Sequence, residues 1–189
     1  MRSDQFHFVT RWRFQASAEA IFALLDRPLD FPRWWGSFFL HAALVEKGDE
    51  QGVDRLVRFQ VKSPVPSELH WGYRTLNSIP GRRIDVRVSG DFAGDGLWLL
   101  EEDGIYTDVI FDWKVTPEKK LVKEFSGLCR PLFKTSHRLG MEQGRIGLEK
   151  ELLKQGQAKR EVILQQVPML PAKAEATAEE KAKGHAAGR

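Results

Sequence analysis

Apolar and polar residues alternate along a series of short segments, and this alternation restricts the fold more than any other feature of the sequence. In residues 6–14, Phe6, Phe8, Trp12 and Phe14 fall at even positions, and the residues between them are mostly basic. A β-strand points successive side chains to opposite faces, so the pattern predicts a strand with one apolar face. The same period returns in further segments that short turns separate. Short links favour antiparallel pairing, so the sequence predicts an antiparallel sheet of about seven strands.

Three helical segments accompany the predicted strands. Ser17 can cap a short apolar helix, which Pro28 brings to an end. The aromatic segment 31–36 forms a second short helical piece, and a long helix over about 128–153 follows the last strand. We therefore predict one α+β domain over residues 5–155.

The residues after this domain differ in composition. Residues 156–189 form a basic extension that begins as a helix and ends in a tail of Ala, Glu, Lys and Gly. The tail has too few large apolar residues to pack a core, so we expect it to be disordered. Eleven bases and four acids fall within residues 119–160. This excess is either the solvated back of the long helix or a surface that attracts an anionic membrane or an acidic partner.

The predicted long helix carries small residues at the centre of its apolar face. Two stripes of large residues flank Gly140, Gly144 and Gly147 when the helix is drawn at about 100° per residue. Each glycine costs about 1 kcal/mol relative to alanine inside a helix, so the three need an explanation. Either the helix backbone approaches the sheet closely, or the small residues roof a cavity; we favour the cavity. Pro131 marks either the first turn of this helix or a bend in it.

Several local sequences resemble one known superfamily. They are Ala20-Ile-Phe-Ala-Leu-Leu25, Phe31-Pro-Arg-Trp-Trp35, the segments 90–100, 107–115 and 130–137, and the residues 141–148. Together they resemble the START-like (SRPBCC) ligand-binding superfamily, in its branch of polyketide cyclase/dehydrase-type bacterial proteins. The resemblance implies the helix-grip fold, in which a curved antiparallel sheet wraps around a long C-terminal helix, with two short helices after the first strand. It also implies an internal cavity for a sterol, lipid, polyketide or other apolar molecule. A minority of such proteins catalyse cyclisation, dehydration or hydrolysis, so the resemblance leaves the chemistry open.

Alternation assigns many large rings to the concave face of the predicted sheet, where they fill a core or line an apolar cavity. The candidate ligand-binding residues on the sheet are Phe8, Trp12, Trp71, Tyr73, Trp98, Phe111 and Trp113. Those on the long helix are Phe133, His137, Gly140, Met141 and Gly144. Tyr73 carries a hydroxyl that suits a ligand oxygen. Trp34 and Trp35 form either the rim of the cavity or the closed end of the core.

His137 is the candidate catalytic residue, because an imidazole titrates near neutral pH and can act as an acid, a base or a polar anchor. The alternative is a buried histidine bonded to a backbone carbonyl, to Asp112 or to Tyr73. His7 and His70 point away from the predicted interior by alternation, and His41 is not assigned to either face.

Other classes of site are not indicated. The five histidines are scattered and Cys129 is the only cysteine, so we expect no metal site, no cofactor and no internal disulfide. Gly90, Gly94 and Gly96 lie between two predicted strands, where they fit a bulge or bend rather than a phosphate loop. We expect no nucleic-acid binding, because the aromatic residues that would stack on bases are assigned to the interior.

The sequence therefore leaves three hypotheses for function. The first is binding or carriage of a hydrophobic small molecule, and the second is a polyketide cyclase or dehydratase that uses His137 as acid and base. The third is an interaction protein that docks through its basic C-terminal helix. No apolar run reaches the length of a membrane span and the start of the chain lacks a signal peptide, so we expect a cytoplasmic protein. The ligand, the oligomeric state and the presence of enzymatic activity are not determined at this stage.

Overall fold

A computed structural model of the chain describes residues 5–62, 69–118 and 126–156, without the side chains of residues 126–130. The strands are β1 (Phe6–Phe14), β2 (Phe39–Glu46), β3 (Leu56–Val61), β4 (Leu69–Ile79), β5 (Arg83–Gly90), β6 (Phe92–Asp103) and β7 (Tyr106–Pro117). The helices are α1 (Ala18–Leu25), α2 (Phe31–Trp34) and α3 (Ser126–Lys154), with a 3₁₀ turn at Pro28–Asp30 before α2. The predicted extension and tail over residues 156–189 lie outside the described residues, apart from Gly156.

The seven strands form one antiparallel sheet in the order β1-β7-β6-β5-β4-β3-β2. From β2 to β7, each strand pairs with the next one along the chain. β1 pairs with β7 and forms one edge of the sheet, and β2 forms the other edge. The register places Phe8 opposite Trp113 and Trp98 opposite Phe111, so the large rings of three strands share one face. The predicted antiparallel sheet of seven strands is confirmed.

The glycines of β6 show where the sheet bends. Gly94 and Gly96 lie inside β6 rather than between two strands, which corrects the predicted boundary. Gly94 has a φ of 155°, and a Cβ there would overlap the carbonyl oxygen of Lys114 on β7. A side chain at this position would push the two strands apart, so glycine permits the tight bend.

The two short helices form where the sequence predicts them. The Ser17 hydroxyl accepts a hydrogen bond from the Ala20 backbone N–H at 3.3 Å and caps α1. Ile21 and Leu25 of α1 are completely buried against the sheet core.

The long helix begins at Ser126, so Pro131 lies inside it rather than at its first turn. Within the described residues, no helix is both long enough and apolar enough to cross a bilayer.

Close approach of the α2 segment, and not of the sheet, explains two of the α3 glycines, Gly144 and Gly147. A Cβ on Gly147 would overlap the backbone carbonyl of Trp34, and one on Gly144 would overlap the Trp35 indole. Gly144 therefore lies beneath a tryptophan ring and does not roof a cavity, which corrects the interpretation favoured from the sequence. Interiors pack to near-crystalline density, and glycine here allows the helices to come together.

Candidate ligand-binding site

An apolar cavity of about 50 Å³ lies between the concave face of the sheet and α3. Its walls are formed by Phe31, Trp35, Phe38, Phe39, Trp71, Tyr73, Val86, Val88, Trp98, Phe111, Trp113, His137, Gly140 and Met141. Pockets for small molecules usually enclose about 300–1,000 Å³, so this cavity has room for only a few atoms. Aromatic rings fill most of the interior in this conformation.

A second apolar cavity, of about 40 Å³, lies beside the first, towards the N-terminal half of α3. Phe8, Phe92 and Phe133 are among its walls. The two cavities share the side chains of Phe38, Trp71, Trp113 and His137. These four side chains, called the partition below, lie between the two cavities.

His137 lies within a stack of aromatic rings. Its ring centroid is 4.0 Å from that of Phe8 and 5.4 Å from that of Trp113, and both pairs are nearly parallel. The buried Nε2 atom has no hydrogen-bond partner among the described residues. The sequence left a bond from His137 to a backbone carbonyl, to Asp112 or to Tyr73 as the alternative. None of these is made by Nε2 in the described part of the chain: the Tyr73 hydroxyl is also without a partner there, and the Asp112 carboxylate bonds to His7 at 2.9 Å.

Burial determines the protonation state of His137. It lowers the pKa of the imidazole from 6.5 to about 4, because the charged form loses its hydration. The ring is therefore neutral at pH 7. A neutral imidazole can donate through one nitrogen and accept through the other, so Nε2 suits a polar group of either kind on a ligand.

Two further buried polar atoms belong to walls of the first cavity. The Tyr73 hydroxyl and the Trp98 Nε1–H have no hydrogen-bond partner in the described part of the chain. Burial raises the pKa of the Tyr73 hydroxyl far above its ordinary value, and the neighbouring Trp98 N–H offsets this only in part. Buried polar groups are nearly always satisfied in folded proteins, so unpaired atoms at a cavity point to a missing partner.

An open groove of about 700 Å³ runs between the edge strand β1 and α3. Phe8, Trp12 and Met141 lie along it, together with the basic residues Lys134 and Arg138. His137 borders the groove and both cavities. His137 therefore lies between the groove and the interior.

The structure brings most of the sequence-predicted residues together. Lining the first cavity are Trp71, Tyr73, Trp98, Phe111, Trp113, His137, Gly140 and Met141. Phe8 and Phe133 line the second cavity. Trp12 borders the outer groove, where its ring packs against those of Trp35 and Trp98. Gly144 is the residue that the structure places away from these spaces.

The sequence did not assign to the site the walls that come from the segment 31–39 and from β5, although Trp35 was considered for the rim of the cavity. These are Phe31, Trp35, Phe38, Phe39, Val86 and Val88. The density of aromatic residues in this segment, where Phe31, Trp34, Trp35, Phe38 and Phe39 fall within nine residues, was an available signal. Trp34 and Trp35 are 7% and 3% exposed, so they close the core rather than form an open rim.

No group of three His, Cys, Asp or Glu side chains is arranged to hold a metal ion within the described ranges. The ionic groups near the interior are paired with one another. Arg55 contacts the Asp26 carboxylate at 3.1 Å, and Arg33 of α2 forms an ion pair with Glu151 of α3. The second pair joins α2 to α3.

Solved structures with the same fold include three informative examples. The protein TTHA0849 of Thermus thermophilus has a TM-score of 0.66 and 17% identity, over 79% of this chain and 99% of that one. The Zhui aromatase/cyclase of Streptomyces sp. R1128 has a TM-score of 0.66 and 15% identity, over 80% and 96% of the chains. Major latex-like protein 151 of Panax ginseng has a TM-score of 0.60 and 12% identity, over 78% and 97%.

The sheet, the helix order and these neighbours define a helix-grip protein. More specifically, the chain has the fold of the START-like (SRPBCC) superfamily, as its local sequences indicated. No family model matches the sequence, and no curated protein matches it. At such low identities the neighbours establish the fold and not the reaction or the ligand.

Proposed function

We propose that the protein binds a hydrophobic small molecule between the sheet and α3. The observation that supports this most is the pair of adjoining apolar cavities, separated by the partition of four ring side chains. Tyr73 and His137 serve as polar anchors, because each presents a buried polar atom without a partner in the described part of the chain. Such an arrangement, mostly apolar with a few polar groups, is typical of ligand sites.

Binding requires the interior to open, because neither cavity accommodates a molecule of ordinary ligand size in the present conformation. Phe38 and His137 are half-buried members of the partition, and each also borders an outer groove. Rotation of these two side chains merges the cavities and admits the ligand. The present conformation is thus the closed one of two that the proposal requires.

A pair of substitutions at one wall position tests this proposal. Val88 is 3% exposed and lines the first cavity. The probe is 9-fluorenone, a flat aromatic ketone. Val88→Phe places a ring in the cavity and should abolish binding of this probe, whereas Val88→Ala enlarges the cavity and should preserve or strengthen binding. Quenching of intrinsic tryptophan fluorescence reports binding, since Trp35, Trp71, Trp98 and Trp113 all line the site. Equal affinity of both variants, each shown to be folded by thermal melting, would contradict an internal site.

Cyclisation or dehydration catalysed by His137 is the second candidate function. It is favoured by the unpartnered Nε2 atom and by the likeness to the Zhui aromatase/cyclase. A pKa of about 4 leaves His137 deprotonated at neutral pH, which suits a base and not an acid, and makes it a weak base. Binding therefore has the stronger support.

The enzymatic hypothesis is tested with a simple 1,5-diketone. In 2,6-heptanedione, removal of a proton α to one carbonyl allows attack on the other, and loss of water gives 3-methyl-2-cyclohexenone. Accelerated formation of this enone by the wild-type protein, lost in His137→Ala, would support catalysis. No acceleration, or equal rates for the two proteins, would favour binding alone.

Peripheral contact with an anionic membrane is proposed for the groove side. Arg11, Lys134 and Arg138 border the groove and form no ion pair with other described residues, and Leu139 beside them is 57% exposed. Cations around an exposed apolar side chain suit an anionic lipid surface. Sedimentation with vesicles containing phosphatidylserine should be lost in the K134E/R138E double variant and retained in Lys47→Glu, a control between β2 and β3. Equal binding to neutral vesicles would contradict an electrostatic contact.

Docking of a protein partner through the basic C-terminal helix stays a prediction. Lys150 is exposed, whereas the Lys154 ammonium lies 3.7 Å from the Glu151 carboxylate, and Lys159 lies outside the described residues. Charge reversal of the three lysines, followed by measurement of partner binding, is the test.

A further inference from the structure

Two hydrogen-bond donors belong to the same apolar cavity and neither has a partner in the described part of the chain. Tyr73 is 6% exposed and Trp98 is 2% exposed, so water from the surface does not satisfy them. Both side chains line the first cavity, and their polar atoms are unpaired among the described residues. The two groups are neighbours. The Trp98 N–H is close enough to the Tyr73 hydroxyl to lower its pKa, but the two atoms do not meet the geometry of a hydrogen bond.

The chemistry of these two groups restricts what can satisfy them together. An indole N–H only donates, and a protonated phenol donates through its single hydrogen. One oxygen atom with two lone pairs can accept from both donors at once, whereas an ammonium or amide N–H cannot accept from either. The partner is therefore a hydrogen-bond acceptor, and a single oxygen suffices.

Charge restricts the partner further. The nearest ionic groups that act on Tyr73 are Asp26 and Arg55, and these two are already paired at 3.1 Å. No cation in the described walls of the cavity remains free to neutralise a carboxylate. Burying an uncompensated carboxylate is very unfavourable, so the acceptor oxygen is uncharged.

We infer that Tyr73 and Trp98 form a two-donor subsite for one uncharged acceptor oxygen of the ligand, such as that of a ketone. This inference rests on the proposed ligand-binding function and adds the chemical class of the ligand. It excludes free fatty acids whose carboxylate lies at this end of the cavity, and it excludes amines there.

The aromatic surroundings suggest a suitable probe. Trp98 and Phe111 stack with centroids 4.0 Å apart, and Phe111 is nearly parallel to Trp113 at 6.3 Å. A flat ring compound can pack against this row of rings. 9-Fluorenone and fluorene are flat and similar in size, and they differ in that only the first carries a carbonyl oxygen.

Titration of tryptophan fluorescence with both compounds tests the inference. We expect the wild-type protein to bind 9-fluorenone about tenfold more tightly than fluorene, the difference that satisfying buried donors usually gives. Tyr73→Phe and Trp98→Phe should each remove most of this preference while fluorene still binds. Trp34→Phe is the matched control, because the Trp34 N–H is also buried and unpaired among the described residues but does not line the cavity.

The outcomes separate this inference from the proposed function. Equal affinity of the wild-type protein for the two compounds overturns the subsite and leaves the binding function standing. Full preference in either Tyr73→Phe or Trp98→Phe removes that residue from the pair and also overturns the inference. Binding of 9-fluorenecarboxylate as tightly as 9-fluorenone overturns the requirement for an uncharged group. No binding of any of these compounds overturns the proposed function as well.

Discussion

The indole N–H of Trp35 donates a 2.7 Å hydrogen bond to the backbone carbonyl oxygen of Gly140. This bond joins α2 to α3 at the edge of the first cavity, because both residues also line that cavity. Gly144, one turn further along α3, lies beneath the same indole ring. The closed interior therefore depends on how closely the short aromatic helix approaches the long one.

We expect alanine substitutions of the three α3 glycines to destabilise the fold in a defined order. A Cβ on Gly147 would meet a backbone carbonyl, which cannot move freely, and one on Gly144 would meet the buried Trp35 ring. A Cβ on Gly140 would lie 3.0 Å from the Phe38 ring, which can rotate. Gly147→Ala should lose about 2–3 kcal/mol of unfolding free energy, despite the helix propensity of alanine, and Gly140→Ala the least. Urea unfolding measures the order, and stabilisation by Gly147→Ala would contradict the close approach.

We expect the unfolding free energy of the protein to decrease as the pH is lowered through the range between the unfolded-state and folded-state pKa values of His137. The folded-state pKa is about 4 and the ordinary value is 6.5, so the unfolded chain takes up the proton first as the pH falls. Neutral His137 therefore contributes its full stabilisation above pH 6.5. As the pH is lowered from 6.5 to 4, the unfolding free energy decreases by about 3 kcal/mol.

His137→Phe keeps a ring between Phe8 and Trp113 and removes the titrating group. Its unfolding free energy should therefore decline less than that of the wild type between pH 6.5 and 4. Urea unfolding at intervals of half a pH unit gives both curves. Parallel curves would show that His137 does not have a lowered pKa.

Removal of Arg33 should destabilise the contact between α2 and α3. Glu151 is only 6% exposed, and the Arg33 guanidinium lowers the pKa of its carboxyl group. In Arg33→Gln, the remaining cationic partner of this buried carboxylate among the described residues is the Lys154 ammonium, at 3.7 Å. The substitution should therefore lower the unfolding free energy by about 1–3 kcal/mol. Arg87→Gln is the control, since the Arg87–Asp95 pair is well exposed and should change stability by less than about 0.5 kcal/mol. Equal effects of the two substitutions on the urea midpoint would argue against a special role for Arg33.

Truncation of Phe38 should speed ligand association. Phe38 separates the two cavities and also borders an outer groove beside Lys62 and Gln143. Phe38→Ala therefore removes part of the partition, and 9-fluorenone should associate several-fold faster in stopped-flow fluorescence. Ile105→Ala, at a site 65% exposed in the hairpin between β6 and β7, should leave the rate unchanged. An unaltered rate in Phe38→Ala would place the path to the interior elsewhere.

The order of strands and helices was predictable because it depends on local patterns. Alternation at β1 and β7, the cap at Ser17 and the breaking effect of Pro28 each act within a few residues. The rings of Trp71, Tyr73, Trp98 and Phe111 were assigned to one face for the same reason, since strand geometry fixes the side of each residue. The paired register then brings those faces together.

The role of the α3 glycines was not predictable, because it depends on a partner from a distant part of the chain. A helical pattern shows that Gly144 and Gly147 are on the inner side of α3, but not that Trp34 and Trp35 lie against them. The division of the interior into two small cavities has a similar origin. It depends on the side-chain rotamers of Phe38 and His137, which tertiary packing selects.

The sequence by itself therefore determined the elements of this protein, their antiparallel pairing and the aromatic character of the interior. Tertiary structure alone decided how much of that interior is empty and which polar atoms of the described residues, among them Tyr73 Oη and Trp98 Nε1, are left without a partner. The physical reason is that strand and helix periods are local properties of the backbone. Cavity volume and hydrogen-bond satisfaction instead depend on ångström-scale distances between side chains remote in sequence.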